Sequence, residues 1–147
     1  MNQINNTPRP FQSTDEIEAI VRRFEACAFG ADEFKHRDHL TVVLWYLSKF
    51  NDAEAAARMR SSLYRFLDHH RVDRQKYHET ITLFWIKKVR ALLNQETQRR
   101  SLAEIANAVS AACGDARLIF TYYSQELIAS ATARAEWVEP DLQPLDF

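Results

Sequence analysis

Two stretches of the chain set ionisable side chains against apolar helical sequence: FKHRDHLTVVLWYL at 34–47, with His36, Asp38 and His39, and KYHETITLFWIKKV at 76–89, with Tyr77, His78 and Glu79. A neutral imidazole can take a proton, ligate a metal or hold a ligand by hydrogen bonds, and adjoining carboxylates add acceptors. His39, His78 and Glu79 are therefore the candidate catalytic groups, with either histidine as base and the glutamate orienting it. The same three are candidate ligands of a divalent metal, zinc or iron, because such sites combine imidazole with carboxylate and keep one position open. His36, Asp38 and Tyr77 join them as candidate ligand-binding groups, with Tyr123 and Arg134 from a tail rich in Arg and Tyr donors. A purely structural reading stands beside this one. Asp38 can cap a helix, His39 can bond a carbonyl, Glu79 can favour a first turn, and the FTYYS segment can be aromatic core packing.

Helices are the elements that must position these groups. The chain has only two glycines and four prolines and shows no alternating strand pattern. Ser13 with Glu16 opens a first helix, whose stripe is Ile17, Ile20, Val21 and Phe24 and whose end is expected at Gly30 in the left-handed conformation. A second helix carries Leu40, Val43, Leu44 and Leu47 inward to about Phe50. Asn51 with Glu54 opens a third, ending near Asp68, and a fourth runs from about Tyr77 to Asn94 through Ile81, Trp85 and Val89. Ser101 with Glu104 opens a fifth that ends at Gly114, and short helices follow before Pro140. The fold class is thus all-α, a single-domain bundle: an extended or disordered segment at 1–12, a helical domain at 13–139 and an extended tail at 140–147. Short connections make the second and fourth helices parallel, so His36, His39 and His78 share one end with His69 and His70. His39 and His78 sit near helix N-termini, where the positive end of the dipole favours the neutral ring.

The totals narrow the function classes. A 147-residue chain can bury roughly two-thirds of its unfolded surface, and a formal net charge of -1 argues against nucleic acid as partner. No apolar run approaches the roughly 20 residues of a membrane span, and the opening lacks the order of a secretory signal, so a cytoplasmic protein is expected. Cys27 and Cys113 lie far apart and read as buried free thiols. No nucleophile sits beside a histidine motif and no Gly-rich phosphate loop occurs, which disfavours covalent catalysis and nucleotide hydrolysis.

In order along the chain, KHRDHL, YHETIT, YYS and ARAEWVEPDLQPL resemble the pattern of a group of small bacterial helical proteins. His36, Asp38, His39, Tyr77, His78, Glu79 and Thr80 match it residue by residue. The resemblance implies a bacterial source and joins tail and histidine motifs into one unit, but carries no assigned activity. The function expected is a small-molecule binding protein or enzyme with a His/Glu pocket at one end of the bundle, metal-assisted if a metal binds. The alternative is a non-enzymatic interaction module, a homodimer or partner-binding surface using LLNQETQRR and the tail.

Overall fold

Short polar side chains set where the helices begin. In the computed structural model, which describes residues 8–96 and 100–147, Ser13 accepts from the Glu16 amide to open α1 (Thr14–Glu25), and Asn51 accepts from the Glu54 amide to open α3 (Asp52–His69). Ser101 and Glu104 form a reciprocal capping box at the start of α5 (Leu102–Cys113). Each such cap satisfies an amide that the first turn would leave without a partner. The second helix, α2 (His36–Lys49), is capped from within, Asp38 accepting from the Lys35 amide at 2.9 Å. The fourth, α4 (Glu79–Gln95), starts two residues later than its sequence pattern suggests, with His78 as its cap. Two short helices, α6 (Gln125–Ile128) and α7 (Ala131–Ala135), complete the set, and no strand occurs among the described residues.

Helix ends depart from the expectation. α1 stops at Glu25 and the left-handed residue is Cys27, with φ of 54°, while Gly30 has no positive φ. The Cys27 amide donates to the Phe24 carbonyl and the Ala28 amide to that of Arg23, so the paired bonds of a Schellman ending outweigh the steric cost of a non-glycine residue there. Gly114 is likewise right-handed, and its glycine is required by close approach: a Cβ would stand 2.5 Å from the Ser110 carbonyl oxygen.

The core explains the arrangement. α2 buries Leu40, Val42, Val43, Leu44, Tyr46 and Leu47 around its circumference, as a central helix must, and packs against α1, α3, α4 and α5. Phe24, Phe66, Phe84, Trp85 and Val89 close around it, whereas Ile81, expected among them, is half-buried because it faces a cavity.

Both flanks of the domain are more firmly held than an extended segment suggests. Phe11 is buried, its amide and carbonyl each bonded at 2.8 Å to the side chain of Asn107, while residues 1–7 lie outside the described residues. At the other end Asp141 accepts from the amide and hydroxyl of Ser124, Asp146 accepts from the Tyr122 hydroxyl at 2.6 Å, and the Phe147 ring lies 5.6 Å from that of Phe84. Thr80, buried at the start of α4, lies 2.6 Å from the Ala133 carbonyl and 2.9 Å from that of Glu136, which joins α7 to α4.

Candidate functional site

A partly open cavity of about 590 Å³ lies where the N-terminal ends of α2 and α4 meet α3 and the 3-10 turn Ala116–Thr121. His36, His39 and His78 all reach it, so the two histidine motifs do converge on one space. Most of the wall is apolar. Leu40 and Val43 come from α2, Met59, Leu63 and Phe66 from α3, Ile81 and Trp85 from α4, and Ile119 and Phe120 from the turn.

The three histidines differ in what they are free to do. His78 Nε2–H donates to the Ile128 carbonyl at 2.7 Å while its Nδ1 accepts from the Ile81 amide at 3.1 Å. Both ring nitrogens are thereby committed, and the ring is held neutral. Burial lowers its pKa, the Ile128 carbonyl opposes that shift, and Arg134 adds to it. His36 Nε2–H donates to the Cys113 carbonyl at 2.8 Å and its ring meets Trp85 edge-on at 4.6 Å. His39 has no hydrogen-bond partner among the described residues; its ring lies 4.2 Å from that of Phe34. The residue is half-buried, and part of its surface is cavity wall. Burial, with His36 nearby as a lesser cause, lowers its pKa from 6.5 to about 4.

Glu79, expected beside the histidines, does not line this cavity. Its carboxylate is buried in a separate cluster: Arg60 Nε donates to Oε2 at 3.0 Å, Arg60 Nη2 donates to Oε1, and the Tyr77 hydroxyl donates to Oε2 at 2.5 Å. Burial would raise the Glu79 pKa, but the bonds from Arg60 and Tyr77 outweigh it and hold the carboxyl below its usual range. Burial, then the bond to Glu79, raises Tyr77 above the ordinary phenol range. Tyr77 therefore lines the cavity with its hydroxyl already spent.

The remaining candidates have structural partners as well. Asp38 caps α2 through the Lys35 amide, Tyr123 is fully buried with its hydroxyl donating to the Val138 carbonyl at 2.6 Å, and Arg134 donates to the Gln75 carbonyl at 2.8 Å. None of these three lines the cavity. The zinc or iron expectation fails on the donor set: His78 has no free nitrogen, Glu79 is neutralised by Arg60, and no three His, Cys, Asp or Glu groups among the described residues converge to hold a metal.

Lys76, Phe34 and residues of the turn Ala116–Thr121 line the cavity without a sequence signal that marks them. Lys76 sits immediately before the YHET motif but looks like one more loop charge; Phe34 precedes its helix and shows no periodicity. Cys113 is buried as expected and Cys27 is half-buried. No described helix is long and apolar enough to cross a membrane. The chain matches no family model, no curated protein and no solved structure.

Two stability tests separate the histidines. His78→Ala removes a helix cap and a buried donor together, and is expected to cost about 1–3 kcal/mol in urea unfolding, with His78→Asn recovering part through the cap. His39 acts through pH. Its folded pKa lies below the unfolded one, so the unfolded chain binds the proton more tightly, and stability is full above about pH 6.5 and falls as pH drops toward about 4. Allowing for its remaining accessibility, that loss is about 2 kcal/mol relative to His39→Leu, whose stability should lack this component.

Proposed function

We propose that this protein binds a small, largely apolar molecule in the histidine-end cavity, with His39 supplying the polar contact. The observation that carries the reading is a half-buried imidazole without a hydrogen-bond partner among the described residues, set in a largely apolar wall. A ligand group that bonds this ring exchanges a contact with water for one shielded by the apolar wall, where a hydrogen bond is worth more. The cavity volume falls within the range typical of small-molecule sites.

Binding is favoured over acid–base catalysis. A general base works best with a pKa near the working pH, and His39 at about 4 accepts protons poorly near neutrality. The interaction-module alternative calls for an exposed apolar face. Among the described residues, Phe120 and Leu142 are the exposed large hydrophobics, and Phe120 belongs to the cavity wall. Of LLNQETQRR, residues 97–99 lie outside the described residues.

The test is a titration with an environment-sensitive naphthalene fluorophore, on wild type and on Leu63→Trp. Leu63 is a half-buried wall residue packed against the core, where a larger side chain should occupy cavity space. Saturable binding to wild type, weakened about tenfold or more in an equally folded Leu63→Trp, is the expected result. No saturable binding, or equal binding to both proteins, would overturn the reading.

A further inference from the structure

The cavity has a charge bias that its apolar wall makes consequential. Its lining includes Lys76 and three histidines but no aspartate or glutamate. Glu79, adjacent in sequence to His78, is turned into its own ion pair with Arg60 and offers the cavity no negative charge. Of the nitrogen groups, His78 is committed at both ring nitrogens and His36 at Nε2. Lys76 has no ion-pair or hydrogen-bond partner among the described residues, and neither does the His39 ring. Lys76, exposed at the cavity rim, and the half-buried His39 ring are thus the uncommitted nitrogen donors beside this largely apolar space.

That combination favours a particular ligand chemistry. A cationic head would meet Lys76 with no carboxylate in the lining to receive it, and a neutral head would gain no ion pair with the exposed ammonium. A carboxylate accepts from both groups through charge-assisted bonds, while a hydrocarbon or aromatic body occupies the wall between Leu40, Met59, Leu63 and Trp85. We propose that the ligand is an amphiphilic monocarboxylate, a fatty or aromatic acid, whose head group is held by His39 and Lys76. This rests on the cavity being a small-molecule site and adds the identity of the head group.

Octanoate, 1-octanol and octylamine share a chain and differ in the head, so calorimetric titration of the 147-residue chain with each at about pH 7 separates the two claims. Octanoate is expected to bind about tenfold or more tightly than octanol, with octylamine weakest. Lys76→Met and His39→Leu should each cut that preference to about threefold or less while octanol binding persists, and Lys76→Glu should place octylamine ahead of octanoate. Equal binding of octanoate and octanol to wild type would overturn the carboxylate assignment and leave the apolar-site reading standing. An octanoate preference unchanged in both Lys76→Met and His39→Leu would overturn the assignment of the head group to these residues. Binding of none of the three probes would overturn both claims.

Discussion

Replacing Trp85 with alanine is expected to lower stability by about 3–5 kcal/mol and Tm by roughly 10 °C. The indole is 7% exposed, lies at right angles to Phe84 with ring centroids 5.0 Å apart, and forms cavity wall beside His36. Truncation removes its buried area and leaves a void continuous with the existing cavity. Trp85→Phe retains the edge contact and most of the area, so it should recover more than half of the loss. Thermal unfolding of both variants checks this, and a loss below about 1 kcal/mol for the alanine variant would contradict the packing described.

The second large effect is expected at Arg60. Glu79 is 8% exposed and its charge depends on the guanidinium, so Arg60→Ala should leave a buried carboxylate bonded only by Tyr77. Loss of one partner of a buried pair costs about 3–5 kcal/mol, and because the Arg60 side chain is 39% exposed, water can enter and reduce this to about 2–4 kcal/mol. Its sign with pH follows from Glu79. The folded wild-type carboxyl titrates below its unfolded value, so the pair's contribution is present above the unfolded pKa and is lost as pH falls through the folded one. The difference between wild type and Arg60→Ala in urea unfolding should therefore shrink in acid. Replacing both residues, as Arg60→Met with Glu79→Leu, should restore much of the stability, since no unpaired charge then remains. Fluorophore binding should persist in the double variant, because neither residue lines the cavity and the one wall group affected is the Tyr77 hydroxyl.

These two residues show what could be read from sequence and what could not. Trp85 was legible because burial periodicity along one helix depends only on local spacing. The helix starts at Ser13, Asn51 and Ser101 were legible for the same reason, their partners lying three residues away. Helix ends were not. Cys27 takes the left-handed position because its local hydrogen bonds offset the strain, and no residue-type rule selects a cysteine there.

The convergence of His39 and His78 followed from bundle topology, but their division of roles did not. His78 is committed through Ile128, 50 residues away, and Glu79 is neutralised by an arginine of α3 that reads in sequence as one charge of a solvated run. Long-range partners decide which polar group is spent and which is free, and no spacing rule carries that information.

The most direct test of this division is the ring-nitrogen NMR spectrum of the histidines, recorded at about pH 6 without and with saturating octanoate. His78 should remain the neutral Nε2–H form in both spectra, fixed by Ile128 and Ile81. His39 should be neutral without ligand and show the large shift on addition, as its free imidazole gains a partner. A large shift at His78 with His39 unmoved would contradict the assignment of His39 as the ligand-facing residue.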